Sequence, residues 1–243
     1  MSGVRAKLLH TIVSQIPYNP PRNFGLDILY CDESLLVASK PAGLLSVPGR
    51  GVDKTDSLAT RVQKEFPDAL SVHRLDMSTS GLLVFARGAK MHQRLSRLFR
   101  ERKVKKCYIA ILAGRVENTA GEVNLPLAAD WPNRPRQKVD FAIGKPSFTR
   151  YRLLEYMKYP IRDSVRLDEQ CLPASRVELE PVTGRTHQLR VHMAAIGHTV
   201  LGDELYGGNI CNVTERLLLH ARELSFVHPL SEKLLALTNE PPF

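Results

Sequence analysis

Apolar positions in this chain fall in short runs or strict alternation more often than they repeat at helical spacing. Ile28 to Tyr30 and Leu35 to Ser39 are two such runs, divided by the turn-forming cluster Asp32-Glu33-Ser34, and they predict a pair of strands. Pro41 and Gly43 end the second, and Leu44 to Val47 predicts a further extended piece. Leu82 to Ala86, Cys107 to Leu112 and Arg216 to Val227 read as strands. Arg176-Val177-Glu178-Leu179-Glu180 alternates strictly, which predicts a strand with one face buried. Helical spacing is confined to three places. Leu58, Val62 and Phe66 fall four apart behind a cap at Thr55 or Asp56, and Met91, Leu95, Leu98 and Phe99 make a second stripe. Leu189, Met193 and Ile196 make the third, with Gly197 placed to stop the helix. Met157 to Ala174 is polar and proline-interrupted, and it predicts a loop. Strands that outnumber helices, with short connections, predict an α/β domain of the α+β type: a largely antiparallel mixed β-sheet with flanking helices.

Of the 243 residues 43% are hydrophobic, enough for a packed core and too many for a disordered chain. Residues 1–25, mixed in polarity and punctuated by Pro17, Pro20 and Pro21, predict a flexible N-terminal extension, and residues 26–243 a single domain. Lys and Arg number 34 against 25 Asp and Glu, a formal net charge of +9. That excess favours a polyanionic partner, nucleic acid first, over plain solubility. Cys31, Cys107, Cys171 and Cys211 are scattered with no close pair, which suggests reduced thiols rather than a zinc knuckle or a disulfide framework. Met1 to Gln15 lacks the apolar core of a signal peptide, and no stretch approaches transmembrane length. The expectation is a cytoplasmic protein with no membrane contact.

Chemistry concentrates in His73-Arg74-Leu75-Asp76-Met77-Ser78-Thr79-Ser80-Gly81. One carboxylate, Asp76, stands between a cation and a small-residue turn, just ahead of the apolar run from Leu82. A loop acid normally stays solvated. One fixed at a sheet edge beside a guanidinium stays ionised in a confined pocket, as a nucleophile or base requires. Around the second helical stripe, Arg94, Arg97, Arg100 and Arg102 occupy other faces, and Lys103, Lys105 and Lys106 extend the charge. This suits a solvated face and an RNA-facing one equally. Asp130 to Lys138 is a basic loop holding the only tryptophan, Trp131, which either joins in phosphate contact and base stacking or plugs the edge of the core. Arg190 lies off the stripe of its helix, free to point toward a ligand.

Together these blocks resemble the RluA-type pseudouridine synthases. The resemblance rests on Lys40-Pro41-Ala42-Gly43-Leu44, the Asp76 block, Lys106-Cys107-Tyr108, Gly184-Arg185-Thr186-His187-Gln188-Leu189-Arg190-Val191-His192 and Leu217-Leu218-Leu219-His220-Ala221, in that order. It spans roughly residues 26 to 240. Gly49-Arg50 and Asp130 to Lys138 further resemble a compact subgroup whose members act on a tRNA anticodon stem-loop and a 23S rRNA stem-loop, without an S4-like domain. Residues 158 to 174 run longer than that pattern, and Ser147 replaces a common alanine; both bear on the choice of RNA.

The resemblance implies an isomerase of the intramolecular-transferase kind acting on structured RNA, as a monomer with no obligatory protein partner. A uridine leaves the base stack. Its uracil is detached from C1′, turned, and rejoined through C5, which calls for no cofactor and no metal. Asp76 is implied as the essential carboxylate, whether it attacks the sugar, attacks C6 of the ring, or acts as a base on the sugar. Arg190 is implied to pair with it, and Tyr108 to stack on the flipped base with its hydroxyl near the C5 proton. Arg74 would fill the gap left in the RNA, and Leu219 would pack on the other face of the uracil. His73, Arg185 and Arg134 are the remaining expected substrate contacts.

Three rivals stand beside it. A glycosidase needs a second acid, for which Glu178 or Glu180 is available. A metal nuclease would draw on His187, His192 and His220, although five-residue spacing puts the first two on different helix faces. The third is a catalytically inactive RNA-binding or ribosome-assembly protein on the same fold.

Overall fold

β1 (Asp27–Cys31) and β2 (Leu35–Lys40) pair antiparallel across a turn whose Asp32 carboxylate accepts from the backbone N–H groups of Ser34 and Leu35. An Asp in that position closes a turn on its own backbone. The computed structural model describes residues 18–161 and 171–243. Leu44 to Val47 forms no strand; Leu45 makes one isolated bridge with Ser57. Helix α1 (Leu58–Glu65) starts one residue later than a cap at Asp56 would place it and two later than one at Thr55. Ser57 is the cap, because Thr60 completes a reciprocal pair with it: each side chain accepts from the other's backbone N–H.

Then follow β3 (Ala69–Ser71), β4 (Ser80–Arg87), α2 (Ala89–Arg100), β5 (Lys105–Ala113), β6 (Ala120–Asn124), β7 (Leu127–Ala129) and β8 (Gln137–Val139). β9 (Phe148–Pro160), β10 (Cys171–Pro181), α3 (Gln188–Ala195), β11 (Leu219–Val227) and β12 (Leu234–Thr238) complete the described chain. One ten-stranded sheet runs β1-β2-β4-β11-β5-β10-β9-β6, with β3 on β4 and β12 on β11, while β7 and β8 form a separate hairpin. Of the strand pairs among the described residues only β4–β11 is parallel, and there Gly81 lies opposite Ala221. A Cβ at Gly81, whose φ is +113°, would collide with the Ala221 backbone, so the second residue of β4 has to be glycine.

β4 is buried on both faces. Leu82, Val84 and Ala86 pack with Met91 and Leu95 of α2, and Leu83 and Phe85 pack with Leu58 and Val62 of α1. In the other half of the sheet Ala110, Leu112, Val177, Leu179 and Leu219 gather under Leu189 and Met193 of α3. The last turn before β4 and the start of α3 thus meet over the middle of the sheet.

One further expectation needs revision. The stretch Met157 to Ala174 is not one loop: β9 and β10 continue as a ladder to the pair Pro160–Cys171, and residues 162–170 lie outside the described residues. Pro160 and Pro173 are tolerated because they stand beyond Ala174, where β5 no longer pairs with β10. In the described part of the expected N-terminal extension, Tyr18 and Pro21 reach the rest of the chain. Tyr18 Oη donates to the Asp56 carbonyl and accepts from Leu45 N–H, and the Pro21 carbonyl accepts from Arg61. Residues 1–17 lie outside the described residues. Among the described residues no helix is long and apolar enough to cross a membrane.

Candidate active site

The loop that carries Asp76 is held from beneath. Lys40, fully buried at the end of β2, donates to the carbonyls of Pro41 (2.9 Å), Leu44 (2.6 Å) and Met77 (3.0 Å). Burial pushes its ammonium down to about 7, against the opposing field of Asp76. Ser46 Oγ donates to the Leu75 carbonyl and accepts from Leu75 N–H, at 2.7 and 3.0 Å. Gly43 N–H reaches the Met77 carbonyl, and Thr79 N–H closes the turn on the Asp76 carbonyl. The backbone on each side of Asp76 is therefore fixed, and its side chain opens into a cavity of about 680 Å³.

Arg190 reaches that carboxylate from α3. Its Nε and Nη2 bind Asp203 Oδ2 and Oδ1 at 2.8 and 2.7 Å, and its Nη1 lies 3.2 Å from Asp76 Oδ2. A planar guanidinium gripped on two nitrogens has its third direction fixed as well. Burial weakens the charge of Arg190, but hydrogen bonding to Asp203 and the fields of Asp203 and Asp76 outweigh it and hold the pKa above its ordinary value. Tyr108, on β5, lines the same cavity, where burial first and the Asp76 charge second push its phenol up. It stays protonated at neutral pH. Leu219, on β11 and nearly buried, lines the wall beside it.

Seven of the expected residues thus share one cleft: His73, Arg74, Asp76, Tyr108, Arg185, Arg190 and Leu219. Arg74 is exposed at its surface. Arg185 is exposed too, its Nε donating to the Pro146 carbonyl. His73, expected to contact substrate, lines the cleft wall. Its ring stacks on Phe99 with centroids 4.5 Å apart, and Nε2 accepts from Val84 N–H at 3.1 Å. Burial and nearby Lys106 push its pKa down to about 3, so a neutral, occupied ring forms the wall. Arg134 lies outside the cleft lining, on the β7–β8 loop, with its guanidinium 3.3 Å over the Trp131 ring. Trp131 is 67% exposed, so it does not plug the core.

The basic stripe of α2 divides. Arg94 and Arg97 turn to the Pro229 carbonyl and to Glu101, whereas Arg100, Arg102, Lys105 and Lys106 line the cleft. Three groups escaped functional assignment from sequence: His187, which lines the cleft, and Asp203 and Tyr206, which stand behind it and bond Arg190 and His187. Asp203 stands between Gly202 and Glu204, indistinguishable in sequence from a surface turn. Tyr206 follows it without a motif. His187, weighed only as a metal ligand, occupies a left-handed residue (φ +53°) ahead of α3 and bonds Tyr206 Oη through Nδ1 at 2.8 Å.

The rivals lose their residues. His192 bonds Thr149 and the Leu125 carbonyl, and His220 bonds Ser80 and the Asn239 carbonyl. No group of three or more His, Cys, Asp or Glu among the described residues could hold a metal ion. Glu178 and Glu180 pair with Arg152 and Arg150. Ser147 turns its hydroxyl to the Lys145 carbonyl.

A carboxylate, an engaged guanidinium and a neutral phenol thus share one cleft. Residues 34–195 match the family model described as RNA pseudouridylate synthase, and the chain belongs to that family: it is an isomerase that acts on RNA. It is 48% identical to the dual-specificity RNA pseudouridine synthase RluA of Escherichia coli (strain K12), over 87% of this chain and 91% of the relative. With the protein of the same name from Haemophilus influenzae it shares 45%, over 94% and 99%. The solved structure of human RNA pseudouridylate synthase domain containing 1 superposes with a TM-score of 0.74 at 31% identity, covering 93% of this chain and 87% of that one.

Proposed function

We propose that Asp76 drives the isomerisation of a uridine in a tRNA anticodon arm and of another in a 23S rRNA stem-loop. The observation that carries the reading is the 3.2 Å contact of Arg190 with Asp76 in a cavity that Tyr108 also lines. The dual specificity in the names of the bacterial relatives supports the pair of targets. Arg190 and His187 both address Oδ2, which leaves Oδ1 without a partner among the described residues and available for chemistry. The N1–C1′ bond breaks, the C5–C1′ bond forms, and the C5 proton ends on N1, so the step is redox-neutral. Tyr108 stacks on the uracil as a neutral phenol and passes a proton only by giving up its own as it takes one. Leu219 closes the opposite face, Arg74 replaces the departed base in the stack, and Arg185 and Arg134 contact phosphates. His73 acts through the wall it makes.

We further place the enzyme in the cytoplasm as a monomer without an obligatory protein partner. Four free cysteines suit a reducing compartment, and every group named comes from one chain. The sheet that runs from β1 to β12 supports a single domain over residues 26–243.

Transcribed tRNA and 23S fragments incubated with the protein, then mapped by carbodiimide modification and reverse transcription, test this reading. Asp76→Ala should cut modification by at least about 10³-fold with RNA binding retained. Undiminished modification, or wild-type binding without modification, overturns it.

A further inference from the structure

A short hydrogen-bonded chain joins the β7–β8 hairpin to Asp76. The backbone N–H of Gln137, first residue of β8, donates to Tyr206 Oη at 2.8 Å. With Oη already accepting from Gln137, the Tyr206 hydroxyl is set to donate to His187 Nδ1, 2.8 Å away. A neutral imidazole that accepts on Nδ1 carries its hydrogen on Nε2, and Nε2 stands 3.8 Å from Asp76 Oδ2. Burial favours the neutral ring; Asp76 and Asp203 oppose that, and Arg190 and Arg74 support it. The Tyr206 ring is also flanked by two guanidiniums: Arg190 at 5.2 Å and Arg136, from the hairpin loop, at 5.5 Å. Tyr206 therefore touches both groups that address Oδ2 and two residues of the hairpin.

We propose that Tyr206 and His187 are positioning residues that tie the seating of the β7–β8 hairpin to the orientation of the Asp76 carboxylate. The proposal rests on the role given to Asp76 above. An RNA that fills the cleft without engaging the hairpin leaves Nε2–H beyond hydrogen-bond length of Oδ2. One that draws Arg136 and the Gln137 backbone inward closes that gap and turns Oδ1 to the substrate. The hairpin then selects RNA through rate as well as through affinity.

Single-turnover rates and RNA dissociation constants, measured separately on a stem-loop substrate, test it. Tyr206→Phe keeps the ring and removes the relay. It should slow the bound-state step about tenfold while changing the dissociation constant less than about twofold. Arg136→Ala should slow the same step in the wild-type background and add nothing in Tyr206→Phe. Nitrogen-15 spectra of histidine-labelled free protein should show His187 as the fixed Nε2–H tautomer, and as a tautomer mixture in Tyr206→Phe. His187→Gln, which retains a donor toward Asp76, should keep more of the rate than His187→Ala. An unchanged rate in Tyr206→Phe, a loss confined to RNA affinity, or a wild-type Nδ1–H tautomer overturns the proposal. Wild-type protein that modifies no RNA overturns instead the role of Asp76, and the spectra still decide the tautomer.

Discussion

The loop that bears Asp76 and the loop that joins β7 to β8 both carry arginines suited to RNA, and they are built in opposite ways. Around Asp76 the backbone is held by groups from elsewhere in the chain: the Lys40 ammonium, Gly43 N–H and the Ser46 hydroxyl. The other loop bonds to itself, Asn133 N–H to the Asp130 carbonyl, Arg136 N–H to that of Asn133, and Asp130 N–H to that of Arg136. Its Trp131 and Arg134 stand out in solvent. Reacting groups demand placement to a fraction of an ångström, so their loop is fastened from beneath. Recognition of a flexible polyanion tolerates a self-contained loop that meets the ligand with exposed charge.

The strongest way to break this contrast is to remove Asp203. Asp203→Ala leaves the Arg190 guanidinium buried, with Asp76 as its remaining carboxylate at 3.2 Å. Loss of one partner from a buried pair costs about 3–5 kcal/mol, which a urea unfolding midpoint reads directly. Asp203→Asn, which keeps the shape and loses the charge, should fall between. A change of less than about 1 kcal/mol in Asp203→Ala would mean that Arg190 is not held as described.

His73 gives the next largest effect, and it is one of pH. Its folded ring takes a proton only near 3, against an ordinary value of 6.5. Between those values the unfolded chain binds more protons than the folded one, so stability falls as pH drops through that window. The slope from this residue is at most about 1.4 kcal/mol per pH unit. His73→Gln removes that contribution, and unfolding curves from pH 7 to pH 4 should show a shallower acid limb in the variant. Coincident slopes would show that the ring against Phe99 is not the neutral group described.

Much of this was legible in the chain, and the remainder was hidden for identifiable reasons. Asp76 announced itself through local spacing, and Arg190 through its place off an apolar stripe. Asp203, which fixes Arg190, carries no local signal, because a buried acid in a glycine turn reads like an exposed one. The role expected of His73 came with the resemblance alone; its partners, Phe99 and the Val84 backbone, become neighbours only in the folded sheet. The cations of α2 could not be divided in advance because Arg102 leaves the helix in a left-handed conformation (φ +58°) that periodicity does not foresee. Strand order was predicted only as a class, since the single parallel pair depends on a glycine meeting Ala221 across the sheet.

The smallest effect sharpens the other side of the contrast. Arg134 touches Trp131, and its guanidinium is solvated, so its attraction for a phosphate is a screened, long-range term. Arg134→Ala should weaken RNA binding by a few-fold and lower the slope of log affinity against log salt by about 1, the share of one released counterion. Arg134→Lys should restore the slope, because a point charge suffices for it, while losing the flat contact over the tryptophan ring. The effect should fall on affinity rather than on the rate at saturating RNA, because Arg134 has no bond to Tyr206 or His187, whereas Gln137 and Arg136 of the same hairpin reach Tyr206 directly. A saturating rate that dropped as far in Arg134→Ala as in Tyr206→Phe would mean that the whole loop, charge included, moves with Asp76, and that the division between a fastened and a self-contained loop is false.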